Sequence, residues 1–240
     1  KFLIIENLPR DPVFFKLKLI HIYKERTEYR QMKQTIEEIR GQVPESMKDE
    51  FYYFNYIYSE KTSDINRAES FYKKIQTPLF IHLANIKHSD RYIYEGNYTE
   101  AEDILNKAAH YFYRQGFKKE KIEAQSQMAK LLREKQKYSQ SEKLYKDMFI
   151  KSEINNFHLL SANISVDLGN LYYILENFDR AELWYKQAHK IFKNLKNING
   201  IFLANSNLVE VYKINGDWQN AKKLLQSILA YDKDRKLIDS

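Results

Sequence analysis

Apolar and small side chains return along this chain at offsets of three, four and seven, and the whole set returns about forty residues later. The segments align on a small residue: Ala68, Ala101, Ser141, Ala181 and Ala221. Three residues before it stands Ile65, Tyr98, Tyr138, Phe178 or Trp218. Four after it stands Tyr72, Leu105, Tyr145, Tyr185 or Leu225, and seven after it Ile75, Ala108, Met148, Ala188 or Ile228. These offsets share one helix face. The small residue is expected where two helix backbones approach closely, because a larger side chain there would overpack the contact.

A second helical signature precedes each of these. Its marks are Leu168, Gly169 and Tyr172, then Leu208, Val209 and Tyr212, and earlier Met128, Ala129 and Leu132. Short polar turns join the pairs, at 95–97, 135–137, 176–177 and 215–217. Gly96 and Gly216 fall where a helix C-terminus favours positive φ, and Thr99 and Asp179 are read as residues that help start the next helix. The front of the chain threads on the same pattern. It predicts helices at 13–24, around Tyr29–Met32–Ile36–Ile39, at about 46–60 and at 64–75, with Gly41 and Pro44 separating the first two pairs. The stretch FYYFNYIYSE has strand propensity. It is assigned to helix, because a lone strand among helices has nothing to pair with.

The units resemble the tetratricopeptide repeat, W-x2-L-G-x2-Y, then A-x3-F, then P. Residues 162–195 match best, with Leu168, Gly169, Tyr172, Phe178, Ala181, Tyr185 and Ala188 in register. Ser165 replaces the Trp, Glu176 the turn Gly and Lys193 the Pro. The long repeat is similar to those of bacterial signalling proteins and kinesin light chains, among them the Rap-type and PlcR-like peptide-pheromone receptors. The resemblance implies an all-α, right-handed superhelical α-solenoid of about six helix-turn-helix repeats. It forms one domain over 1–240, with weaker repeats at 12–76 and strong ones at 78–231.

The resemblance also implies a ligand site: the first helix of each pair lines a concave groove that takes extended or helical peptides. Carried over by position, the groove residues that do not pack are Ile86, Asp90 and Ile93, then Glu123, Ser126, Lys130 and Arg133. Asn163, Val166, Asn170 and Tyr173 follow, then Leu203, Ser206, Glu210 and Lys213. Asn163 and Asn170 are two helical turns apart and share a face, and an amide offers donor and acceptor to a peptide backbone. Lys130, Arg133 and Lys213 are placed to take a carboxylate.

Composition narrows the classes. The 240 residues are 43% hydrophobic and 30% charged, with only 6 Gly and 4 Pro, which fits helices better than a sheet with many tight turns. No apolar run is long enough to span a membrane. The opening KFLIIENLPR is a poor signal peptide, and the start at Lys1 suggests a fragment. With 0 Cys, disulfide and thiolate chemistry are excluded and a cytoplasmic location is expected. Phosphate-loop, dinucleotide, zinc-protease and serine-hydrolase motifs are absent. The six His have no second His three or four residues away, so no metal or other cofactor is expected. The chain is not expected to be an enzyme. The aromatics, 19 Tyr and 14 Phe among them, are read as core where they fall at repeat positions: Tyr92, Tyr98, Tyr138, Tyr145, Tyr172, Phe178, Tyr185, Tyr212 and Trp218.

The formal charge is +7, and most of the surplus lies between Arg114 and Lys151. The reading favoured is a protein- or peptide-binding module, the sensing or scaffolding part of a bacterial signalling or transcriptional regulator. Its expected partner is a peptide or protein segment, or a second copy of the chain. The alternatives are an interaction domain of a larger kinase or activator, and a nucleic-acid-associated protein using the 114–151 surface.

Overall fold

The computed structural model describes residues 11–26, 28–61 and 64–238. The opening KFLIIENLPR and the last two residues lie outside them. Every described element is helical, and the chain divides into two compact units, 1–88 and 89–240, with the boundary inside one helix.

The first unit holds α1 (Pro12–Glu25), α2 (Tyr29–Ile39), a short 3-10 turn (Glu45–Met47), α3 (Lys48–Lys61), α4 (Ile65–Tyr72) and the start of α5 (Pro78–Tyr94). The stretch FYYFNYIYSE is helix, as expected. Asp11 caps α1 by accepting from the Val13 amide at 2.8 Å. Leu17, Ile20, Met32, Ile36, Ile39, Phe54 and Ala68 form a closed apolar core. His88 stacks on Tyr72 with ring centroids 4.5 Å apart, and the Tyr72 hydroxyl donates to Asn85 Oδ1 at 2.7 Å.

The second unit contains α6 (Tyr98–Gln115), α7 (Lys118–Glu134), α8 (Tyr138–Ile154), α9 (His158–Ile174), α10 (Phe178–Asn194), α11 (Ile198–Ile214) and α12 (Trp218–Ile238). Each helix begins twenty residues after the one before, so the forty-residue period is two equal halves. The final KDRKLIDS continues α12 as far as Ile238.

One turn geometry makes this regularity possible. Gly96, Gly116, Gln136, Asn156, Glu176, Lys196 and Gly216 all sit at φ between 54 and 78°. After each, the next amide reaches back to the last helical turn, as Asn97 does to the Tyr92 carbonyl at 2.8 Å and Asn177 to that of Tyr172 at 2.9 Å. This is the Schellman closure. Four of the seven positions hold it without glycine, at a local cost of roughly 1–2 kcal/mol each. The N-caps are two residues ahead of those expected, Asn97 for Thr99 and Asn177 for Asp179. Asn177 accepts from the Arg180 amide at 3.2 Å and Asp217 from that of Asn220 at 3.1 Å, whereas Thr99 and Asp179 lie inside the first turns.

The small residues are where close approach requires them. Ala68, Ala101, Ser141 and Ala181 are fully buried, and Ser141 also donates to the Ala129 carbonyl at 2.7 Å. A Cβ on Gly169 would stand 2.4 Å from the Tyr185 ring, and one on Gly200 2.2 Å from the Phe192 ring. Of the aromatics assigned to the core, Trp218 departs: it is 65% exposed, as Leu225 is 46%. In the internal repeats the positions of Leu225 hold the buried Leu105, Tyr145 and Tyr185, whereas on α12 no described helix covers that face.

Candidate functional site

The first helices α7, α9 and α11, with residues 89–94 of α5, carry the predicted ligand positions of the second unit. The forty-residue period stacks them in rows. One row is Asp90, Lys130, Asn170 and Glu210. Another is Arg133, Tyr173 and Lys213, and a third is Glu123, Asn163 and Leu203.

Within the first row the side chains interact across repeats. Lys130 Nζ lies 2.7 Å from Asp90 Oδ1, with both side chains partly exposed. Asn170 Oδ1 accepts a 2.8 Å hydrogen bond from the Tyr185 hydroxyl. The phenol comes from α10, crosses α9 where Gly169 leaves room, and ends at the row. That bond occupies the amide oxygen and leaves the amide NH2 as the group Asn170 can offer outward. Asn163 is exposed, and Tyr173 is half-buried with its ring edge-on to Phe178 at 5.7 Å.

The cations are already engaged. Lys213 pairs with Glu210 at 2.9 Å. Arg133 points Nε and Nη2 at Glu134 Oε1, at 3.0 and 2.8 Å. Lys130, Arg133 and Lys213 are thus one half each of an ion pair, and a ligand carboxylate would compete with Asp90, Glu134 or Glu210.

Several residues expected to be unpacked are buried. Ile86, Ile93, Ser126, Val166 and Arg133 are all at most 9% exposed. Where neighbouring first helices touch, as α7 and α9 do, part of each first-helix face is enclosed by the next repeat and the rest stays open to solvent. Arg133 is the case that matters. Burial opposes its charge, and Tyr145, Glu134 and Asp167 together outweigh burial, so its pKa lies above the ordinary value. Its Nη1 is buried without a hydrogen-bond partner among the described residues, as is the Tyr145 hydroxyl. Burial, with Asp167 adding to it, holds the Tyr145 phenol well above its usual range. Burial also raises Tyr185, with Tyr173 and Asp167 contributing.

Tyr145, Asp167 and Tyr185 therefore belong with the predicted row, although helix periodicity assigned the tyrosines only to the core. The available signal was tyrosine rather than phenylalanine at the position four after the small residue. A buried hydroxyl needs a polar destination, and here that destination is the first-helix face.

The 114–151 surface is less cationic than its composition. Lys130, Arg133, Lys135, Lys146 and Lys151 all pair with carboxylates, at 2.6–2.8 Å. Among the described residues no group of His, Asp and Glu could hold a metal ion, and no helix is long and apolar enough to cross a membrane.

No protein-family model and no curated protein matches the chain. Solved structures do. The Rap protein complexed with Competence and Sporulation Factor aligns with a TM-score of 0.77 at 16% identity, covering 94% of this chain and 66% of that one. NprR in complex with its cognate peptide NprX aligns at 0.71 and 14% identity, covering 92% and 67%. Aspartyl phosphate phosphatase F from Bacillus subtilis aligns at 0.67 and 11% identity, covering 97% and 77%. The chain thus spans about two thirds of the length of the Rap and NprR chains. At these identities the likeness is one of fold: the chain is an all-α, tetratricopeptide-type solenoid resembling the Rap and NprR structures.

Proposed function

We propose that the chain is a peptide- or protein-segment-binding module, the sensing or scaffolding part of a bacterial signalling or transcriptional regulator. The ligand lies along the first-helix rows of residues 89–240. Asp90, Glu123, Lys130, Asn163, Asn170, Tyr173, Glu210 and Lys213 are its contacts, and the buried Arg133 lies behind them. The observation that carries the reading is the Tyr185–Asn170 hydrogen bond. A buried phenol holds a partly exposed amide in one orientation, so that its NH2 is presented to a backbone carbonyl without adjustment. Preorganised donors of this kind cut the ordering cost of binding. The fold shared with the Rap complex and the NprR–NprX complex supports a peptide as the ligand.

Because Lys130, Arg133 and Lys213 are internally paired, recognition here depends on neutral hydrogen bonds more than on net charge. Native mass spectrometry of the protein purified from its own host tests the reading. A co-purifying short peptide that raises the melting temperature of the wild type, and much less that of Asn170→Ala, is the expected result. A ligand at a hundred times its Kd stabilises by about 2.7 kcal/mol. A chain that carries no peptide, and whose stability no short peptide changes, overturns it.

A further inference from the structure

The second helices carry a cleft that the repeat's own packing does not require. It has a volume of about 420 Å³, lies between α8 and α10, and is lined chiefly by Lys146, Phe149, Tyr172, Arg180, Leu183 and Trp184. That is within the range of ligand pockets, roughly 300–1,000 Å³. None of these residues belongs to the first-helix rows.

A repeat protein supplies its own control, since positions one period apart meet the same packing demand. Where α10 has Trp184, the other second helices of the second unit have Ile104, Leu144 and Leu224. Where it has Leu183, they have Asp103, Lys143 and Lys223. Leu183 is 67% exposed, an aliphatic side chain in solvent where three copies carry a charge. Phe149 stands where Ala109 and His189 stand in the flanking repeats. Its ring meets Trp184 edge-on, with centroids 5.1 Å apart and planes at 83°, a geometry that adds attraction beyond area burial. Three neighbouring departures from the repeat therefore all go toward large apolar groups, and all line one cleft.

The cleft also has a cationic edge. Lys146 Nζ and the Arg180 guanidinium lie 5.9 and 5.4 Å from the centre of the Tyr172 ring. Lys146 pairs with Glu142 at 2.6 Å. The Arg180 guanidinium makes no ion pair within 4.0 Å with any described residue, although its charge helps hold the Glu142 carboxyl below its ordinary value, so it is less fully neutralised than Lys146.

We propose that this cleft docks a segment of a partner protein that carries a large aliphatic or aromatic side chain flanked by Asp or Glu. The apolar anchor enters between Phe149, Leu183 and Trp184, and the flanking carboxylate meets Arg180, with Lys146 behind it. An apolar anchor in a desolvated pocket is what dominates interface energetics. The complementary charge sets partner choice and encounter rate. The site is independent of the proposed first-helix groove, and its occupant can bind while the groove is filled.

The experiment uses a synthetic array of short, end-blocked peptides. The central residue is Leu, Ile, Met, Phe or Trp, and the flanks are Asp/Glu, Gly/Ser or Lys. The probes are the whole chain and three variants. Leu183→Lys restores the residue that α8 and α12 carry at this position and alters an exposed side chain, so folding is kept. Arg180→Glu reverses that cation, and Asn170→Ala alters a residue that does not line the cleft. Acidic-flanked peptides should be retained by the wild type and by Asn170→Ala. Retention should fall roughly tenfold or more with Leu183→Lys and with Arg180→Glu, and should weaken with salt. Three results overturn the proposal: no capture of acidic-flanked peptides, capture indifferent to the flanking charge, or capture that survives Leu183→Lys. Capture lost with Asn170→Ala alone would assign the peptides to the first-helix face and likewise overturn it.

Discussion

The Tyr185 hydroxyl donates a 2.8 Å hydrogen bond to Asn170 Oδ1. The bond joins a core position of α10 to an open position of α9, so the core and the proposed ligand face share one side chain. Tyr185→Phe should cost about 0.5–1.5 kcal/mol, the usual net worth of such a bond. Asn170→Ala should cost no more than about 1–3 kcal/mol through the phenol it leaves unsatisfied, and less where water reaches that edge. The double variant should be closer to Tyr185→Phe than to the sum, because the two residues share one interaction. Urea denaturation of the four proteins measures this. Peptide affinity should fall in both single variants, further in Asn170→Ala, since Tyr185→Phe removes only the orientation of the amide.

Gly169 and Gly200 are glycines for steric reasons, since neither is in a positive-φ turn. Each faces an aromatic ring from α10, at 2.4 and 2.2 Å from where a Cβ would stand. Gly169→Ala and Gly200→Ala should each destabilise by about 1–3 kcal/mol, and Gly169→Leu by more. Shortening the partner ring, as in Gly169→Ala with Tyr185→Leu, should recover part of the loss. If Gly169→Ala proves neutral by chemical denaturation, the ring moves more freely than the packing indicates.

The four non-glycine turn residues offer a test in the opposite direction. Gln136 and Glu176 sit at φ 57 and 56°. Replacing either by Gly relieves roughly 1–2 kcal/mol of left-handed strain and adds about 0.5–1 kcal/mol of unfolded-chain entropy. The expected net is a small gain in stability. A clear loss in thermal unfolding would mean that these side chains make contacts worth more than the strain.

Acid sensitivity should have a contribution from Glu142. Hydrogen bonds from Lys146 and from the Tyr172 hydroxyl, the latter at 2.6 Å, hold its carboxyl below the ordinary value of 4.5. The folded pKa is the lower one. The stabilisation is therefore complete above about 4.5 and is lost as pH falls from there through the folded value. Glu142→Gln should lower stability at neutral pH and flatten its dependence between that value and more acidic pH. A variant with the wild-type pH profile would show that other carboxylates govern acid unfolding.

Helix number and spacing were legible from residues alone. A fixed period with small residues at 101, 141 and 181 can only be satisfied by helices that stack on their neighbours, and a buried small side chain is dictated by local sequence. Gly169 was legible for the same reason, as a gap in an otherwise bulky face. The turns were only partly legible. Glycine marks three of the seven, and at Gln136, Asn156, Glu176 and Lys196 the stacking of the flanking helices imposes a left-handed residue that local propensity disfavours.

The sequence determined which helix each predicted contact belongs to, because periodicity assigns a residue to a face of its own helix. Whether that face meets solvent depends on the next helix over, and this only the tertiary structure decided. Arg133 and Val166 share a face with Asn170 but are closed off by the adjoining first helix. Lys130 finds Asp90 one repeat away, and Tyr185 reaches Asn170 from a different helix. Phe149, Leu183 and Trp184 look like ordinary members of a hydrophobic pattern until α8 and α10 are placed side by side, when they become the walls of one cleft. Distances between side chains on different helices are set by how backbones pack, and no reading of a single helix contains them.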